Sequence, residues 1–166
     1  MHPEAYNAVS LRAQQTKLTD KEQRGLDLGG QYVNGSCRDL FTNTKWIGLD
    51  IVPGPGIDIV ADATTWETEP TYDIVLCTEV LEHVEQWQEI VRVCSEALVD
   101  GGTLLLTCAS THRAPHGANG ESGVPEDQHY GNVDPDPLKE VAEKYFSYVD
   151  VEYNYPPGDA YLIAIK

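Results

Sequence analysis

Positive charge is scarce in this chain. Eleven Lys and Arg stand against 27 Asp and Glu, a formal net charge of −16 over 166 residues. The few basic residues do not cluster, and so acidic a surface repels phosphate backbones, which disfavours nucleic acid as a partner. Long apolar runs are missing too. No segment approaches the roughly 20 residues that cross a bilayer, and the start, Met1-His-Pro-Glu-Ala5, lacks a basic stretch followed by an apolar one. No membrane association is expected, and the expected location is cytoplasmic. The four cysteines, Cys37, Cys77, Cys94 and Cys108, show no paired spacing of the metal or redox kind. Cys77 and Cys108 fall in apolar runs, where a reduced thiol is a small buried hydrophobe. Repeats and low-complexity linkers are absent as well. With 41% hydrophobic residues the chain has the makings of one core, and residues 1–166 are expected to form a single domain.

What is present is a series of apolar runs that end in a carboxylate. Arg24-Gly-Leu-Asp27 leads straight into Leu28-Gly-Gly30, as a strand does when it hands over to a tight loop that approaches a ligand. Trp46-Ile-Gly-Leu-Asp50 and Ile57-Asp-Ile-Val-Ala-Asp62 repeat the ending. Three successive strands finishing in Asp describe a doubly wound α/β sheet holding a nucleoside at its carboxyl edge, with Asp50 placed to accept from ribose hydroxyls. Around these runs the pattern predicts a helix over 3–20, with Ala5, Val9, Leu11 and Leu18 among its apolar positions. A short helix is expected near 36–41. A strand over 72–77 is followed by one long helix over 80–98, which Asp100-Gly-Gly102 ends before a strand over 103–108. A helix over 137–146 with proline in its first turn comes next. Two last strands, near 147–154 and 159–165, are joined by the turn Pro156-Pro-Gly-Asp159. A sheet that closes with a helix and an antiparallel hairpin departs from a dinucleotide-binding domain, which continues with parallel strands.

The motifs Leu26-Asp-Leu-Gly-Gly30, Gly48-Leu-Asp50, Val60-Ala-Asp-Ala63, Tyr72-Asp-Ile-Val-Leu-Cys-Thr-Glu-Val-Leu-Glu-His83 and Asp100-Gly-Gly-Thr-Leu-Leu-Leu-Thr107 occur in that order. In this the chain resembles the class I S-adenosylmethionine (SAM)-dependent methyltransferases, in particular the small type 11 group. The resemblance covers nearly everything from Arg24 to Lys166. It implies a Rossmann-like, doubly wound, seven-stranded sheet with a C-terminal antiparallel hairpin, and SAM as cofactor. It also implies individual roles. Asp27, Gly29, Gly30 and Gln31 would form the loop beneath the methionine moiety, and Asp50 with Ile51 would take the ribose. Asp62 and Ala63 would receive the adenine, while Cys77, Thr78 and Glu79 would line the pocket at the end of the fourth strand. One departure stands out. The family loop reads Asp-x-Gly-x-Gly-x-Gly, whereas Gln31 and Val33 occupy two of the glycine places here.

A methyltransferase asks little of its side chains beyond alignment, with a base when the acceptor carries a proton to be lost. Candidates in reach of strand ends four and five are Glu79, His83, His112, Arg113, His116, His129 and Tyr130, of which Glu79, His83, His116 and Tyr130 are the catalytic candidates. The polar segment 109–134 is long for a connector and is expected to hold the acceptor side of the site. Its histidines, with Glu126 and Asp127, match no metal-ligand spacing, so no metal site is assigned. Short links between strands two, three and four leave one sheet face thinly covered, which invites a homodimer or another partner. The expected function is methyl transfer from SAM to oxygen or nitrogen of a small-molecule acceptor. The alternative is a catalytically silent SAM-binding module, acting as a partner subunit or cofactor sink.

Overall fold

A computed structural model describes residues 2–33 and 35–166. Helix α1 (Pro3–Gln15) precedes strand β1 (Gln23–Leu28), a 3-10 turn (Cys37–Leu40), β2 (Thr44–Asp50) and β3 (Ile59–Val60). Strand β4 (Tyr72–Thr78), a second 3-10 turn (Leu81–His83), α2 (Trp87–Ala97) and β5 (Leu98–Ala109) follow. Helix α3 (Pro135–Ala142), β6 (Tyr148–Asn154) and β7 (Asp159–Ile165) complete the order. The seven strands form one sheet in the order β3-β2-β1-β4-β5-β7-β6. The first five run parallel, and β7 enters antiparallel between β5 and β6. This is the doubly wound sheet with a terminal hairpin that the sequence predicts.

Two-residue periodicity sorts the strands into two cores. Leu26, Leu28, Val75, Cys77, Leu104, Leu106 and Leu162 face α2 and α3, where Ile90, Val91, Cys94 and Leu138 meet them. Ile74, Leu76, Leu105 and Ile163 face the other way, onto Val9 and Ala13 of α1 and onto Phe41. Asp27 lies between Leu26 and Leu28 in β1 and therefore projects toward the α1 side, away from the larger core.

Several elements differ from expectation, among them α3, which spans Pro135–Ala142 where the pattern predicts a helix over 137–146. Helix α1 ends at Gln15 instead of running to 20, because Lys17 takes a left-handed conformation (φ 57°). Leu18 N–H then donates to Ala13 and Lys17 N–H to Gln14, the closing pattern of a Schellman cap, and Leu18 folds back into the core. Leu11, expected on the buried face, is 54% exposed, while Ala5, Val9 and Ala13 at four-residue spacing carry the contact. The single helix expected over 80–98 is broken. Gly131 N–H donates to the Glu82 carbonyl at 2.8 Å, taking the acceptor that a continuing helix would offer to Gln86, and Val84 is extended. Strand β5 starts earlier than 103: Leu98 already pairs with Tyr72, and an irregularity separates that pair from Ile74–Thr103. Gly101 (φ 76°) makes the bend inside it.

Candidate functional site

The strand order reverses between β1 and β4, and the crevice outside their carboxyl ends is where a doubly wound sheet takes its ligand. A cavity of about 290 Å³ opens there. Asp27, Gly29, Gly30, Gln31 and Thr78 line one part of it, and Glu79, His83, His116, Arg113 and His2 line another. Gly29 turns the chain out of β1 with φ 73°, a conformation that disfavours any side chain, and Val80 sits where its Cβ would go.

Arg38, a residue the sequence reading passed over, fastens this loop. Its Nε donates to Asp27 Oδ2 at 2.7 Å, Nη1 to the Gly56 carbonyl at 2.9 Å and Nη2 to the Gly30 carbonyl at 3.3 Å. The guanidinium also lies 5.1 Å from the Tyr32 ring centroid. A Cβ at Gly30 or at Gly48 would come within 2.4 Å of Nη2, so both glycines make room for the arginine. The loop thus departs from the three-glycine family pattern and is held by a buried cation instead. Burial pushes Asp27 up to about 6 although Arg38 pulls the other way.

On the β2 side, Asp50 accepts the Gln31 N–H at 3.3 Å and the Val52 N–H at 3.2 Å, and Ile51 is exposed. Asp62 is exposed and accepts both the N–H and the hydroxyl of Thr64, which hold its carboxyl below the ordinary range. Ala63 is half-buried beside it. These four residues stand along the carboxyl edge but do not line the cavity. Cys77 is wholly buried on the opposite face, its thiol pushed up by Cys94 and by burial, and does not line the cavity either. Its neighbour Thr78 does, as strand alternation requires.

Glu79 leaves β4 with φ 59°, an uncommon backbone state for a residue with a side chain. Its N–H donates to the Thr107 carbonyl at 2.8 Å, and its carboxylate accepts the Thr107 hydroxyl at 2.9 Å. The other carboxylate oxygen is 3.3 Å from His2 Nε2. His2 also lies 2.9 Å from the wholly buried Asp159, which pairs with Arg113 Nη1 at 2.9 Å and accepts the Tyr161 hydroxyl at 3.1 Å. Burial opposes charge on His2, yet Asp159, Glu79 and Glu4 outweigh it and raise the imidazole to about 10. Burial likewise opposes charge on Glu79, but His2, Thr107 and Arg113 hold it below the ordinary carboxylate range. His2 lies outside every motif and Asp159 reads only as a turn residue, so neither is a site candidate from sequence. The nearest signal is Gly158 (φ 97°), where a Cβ would come within 2.7 Å of the backbone at both Thr111 and Arg113.

His83, His116 and Tyr130 come together as a ring cluster with centroids 5.0 to 5.7 Å apart. Burial, with a push from His116, lowers His83 to about 4, so this imidazole is neutral. Burial raises the Tyr130 phenol well above its ordinary value. His112 is elsewhere, bonded to the Tyr153 hydroxyl, and His129 is exposed. The 109–134 segment is tied internally, with Gly117 N–H on the Glu121 carbonyl and Ala118 N–H on Gln128 Oε1.

The chain is similar to known proteins in sequence and in fold. (S)-coclaurine N-methyltransferase of Papaver somniferum is 32% identical over 76 residues, 45% of this chain and 18% of that protein. A ubiquinone biosynthesis O-methyltransferase of Paraburkholderia xenovorans (strain LB400) is 31% identical over 99 residues, 51% of this chain and 43% of that protein. The chain therefore matches less than half the length of either relative. The crystal structure of Burkholderia thailandensis 1,6-didemethyltoxoflavin-N1-methyltransferase, with bound 1,6-didemethyltoxoflavin and S-adenosylhomocysteine, superposes with a TM-score of 0.71 at 14% identity. That superposition covers 98% of this chain and 78% of the other. The methyltransferase domain family matches residues 4–145, most of the chain, and the protein belongs to that family.

Proposed function

We propose that the protein binds SAM and transfers its methyl group to oxygen or nitrogen of a small-molecule acceptor. The observation that carries this reading is the cavity at the β1/β4 switch point, with a glycine turn on one wall and Glu79, His83, His116 and Arg113 on the other. SAM supplies a methyl already activated as a sulfonium, so the protein has chiefly to align and to exclude water. The Gly29–Gln31 loop, held by Arg38, forms the floor for the cofactor. Asp50, at the edge of β2, accepts from ribose hydroxyls in place of its present backbone donors. Glu79 and the histidines orient the acceptor and take the proton that a hydroxyl or protonated amine loses. The acceptor's lone pair forms the bond to the methyl carbon as the carbon–sulfur bond breaks, its electrons returning to sulfur. An N-methyltransferase and an O-methyltransferase among the relatives, together with a bound small molecule in a structural neighbour, support the acceptor class. The buried thiols of Cys77, Cys94 and Cys108 fit a reducing, cytoplasmic setting, and among the described residues no helix is long and apolar enough to cross a membrane.

Calorimetry with S-adenosylhomocysteine tests the cofactor half. Asp50→Ala is expected to weaken binding by about 2–3 kcal/mol, the loss of a charged acceptor shared by two hydroxyls. NAD is expected to give no heat. Unchanged affinity in the variant would remove the reading. The contact of His2 with Glu79 favours a second reading, a silent SAM-binding module whose N-terminal segment covers the acceptor side. Mass spectrometry after incubation with a panel of phenols and amines separates the two. Product from the wild-type chain rules out the module.

A further inference from the structure

Glu82 contributes nothing to the arrangement described so far, yet its carboxylate is wholly buried. Oε1 accepts the Ala109 N–H at 3.2 Å, and Oε2 has no hydrogen-bond partner. Beside it His83 buries an Nδ1 that is also without a partner. From the far loop His116 brings Nε2 to 3.9 Å from Glu82 Oε1. Its own Nδ1 is 3.1 Å from the Ala114 carbonyl, which fixes the tautomer that frees the Nε2 lone pair. One ligand atom from each residue lies within 4.8 Å of the other two. Ligands about 2.0–2.2 Å from one ion stand up to roughly 4 Å apart, so a small inward adjustment of the His116 loop completes the shell.

We propose that Glu82, His83 and His116 bind a divalent first-row transition cation in the wall of the cavity. Two imidazoles, that of His116 oriented by a backbone carbonyl, with one carboxylate suit zinc, manganese or ferrous iron. Calcium and magnesium prefer a shell of oxygens. An unmatched buried carboxyl oxygen and an unmatched buried imidazole nitrogen stand side by side, and an ion would give both a partner. Both histidines also line the cavity, so positions not filled by protein open toward it. An acceptor with an oxygen donor would take one of them. That last step rests on the methyl-transfer reading, whereas ion binding does not.

The test is titration of metal-stripped, full-length protein with zinc chloride, read by calorimetry, with cobalt(II) absorption as a spectroscopic check. One ion per chain is expected, with a dissociation constant in the micromolar range or tighter. His116→Ala, on a surface loop, should weaken it at least about a hundredfold, more than loss of an outer-shell partner would. Glu82→Gln should do the same, with circular dichroism confirming that this buried substitution leaves the fold intact. Absence of binding overturns the proposal, as does affinity that survives His116→Ala or falls only with His112→Ala or His129→Ala. S-adenosylhomocysteine titrated into the wild-type chain reports separately on the methyl-transfer reading.

Discussion

Replacing Arg38 with methionine removes the side chain that neutralises Asp27 while keeping much of the buried stem. Both members of the pair are nearly inaccessible, at 8% and 4% exposure, and the guanidinium also serves two backbone carbonyls. Breaking a buried pair from one side costs about 3–5 kcal/mol, because a charge is left unmatched. Protonation offers an escape. Burial has already carried the Asp27 carboxyl from 3.8 to about 6 against the pull of Arg38, and without that pull it moves higher. A carboxyl whose folded pKa exceeds its unfolded value binds more protons in the fold. Its penalty therefore grows as pH rises from the unfolded value through the folded one, and the window extends further upward in the variant. Arg38→Met is thus expected to lose about 3–4 kcal/mol at pH 7 and clearly less at pH 5, since each pH unit is worth up to 1.36 kcal/mol. Urea unfolding at the two pH values measures this. A loss below about 1 kcal/mol at pH 7, or an equal loss at both, would refute the claim that Arg38 holds the loop by charge.

Other outcomes are equally concrete. His2, raised from 6.5 to about 10, contributes stability that is complete below 6.5 and lost as pH climbs through about 10. Hydrogen exchange, corrected for intrinsic rates, should show α1 losing protection between pH 7 and pH 10 in the wild type and no such change in His2→Ala. Gly25→Ala places a Cβ 2.4 Å from the Trp46 ring and 2.8 Å from Thr44 Cγ2, and should destabilise by about 1–3 kcal/mol, visible as a drop of several degrees in Tm. Gly158→Ala faces both a left-handed φ and two backbone atoms at 2.7 Å, so it should cost more than Gly25→Ala in the same scan. A smaller cost would mean that the β6–β7 turn adapts without disturbing Asp159.

Strand identity was legible because alternation and terminal carboxylates mark it locally: Leu26 and Leu28 point one way and Asp27 the other, whatever the rest of the chain does. The hairpin announced itself through Pro156-Pro-Gly-Asp159. Helix ends were less legible. Lys17 adopts the left-handed cap that glycine usually marks, and the break after His83 depends on a hydrogen bond from Gly131, far along the chain. The site divides in the same way. Asp27, Gly29, Gly30, Gln31, Thr78 and Glu79 reach the cavity because motif and strand end coincide. Arg38, His2, Asp159 and Glu82 reach their places only through tertiary contact, and no periodicity or spacing signals a contact of that kind.

A net charge of −16 favours partners that are neutral or cationic, but the charges at the cavity are more balanced than those of the whole chain. Asp27 is matched by Arg38, and Asp159 is matched by Arg113 and His2. Glu79 shares His2 and stands 4.0 Å from the second Arg113 nitrogen. An acceptor of the proposed methyl transfer would therefore meet paired charges, while the long-range field of the −16 chain would act mainly on the encounter and fades beyond about 8–10 Å at physiological salt. Acceptor choice should follow the shape of the cavity and its hydrogen-bond partners more than acceptor charge. Raising the salt concentration should then alter KM for a charged acceptor and leave the ranking of neutral acceptors unchanged. A reordering of neutral acceptors by salt would place the selectivity in the field of the whole chain instead.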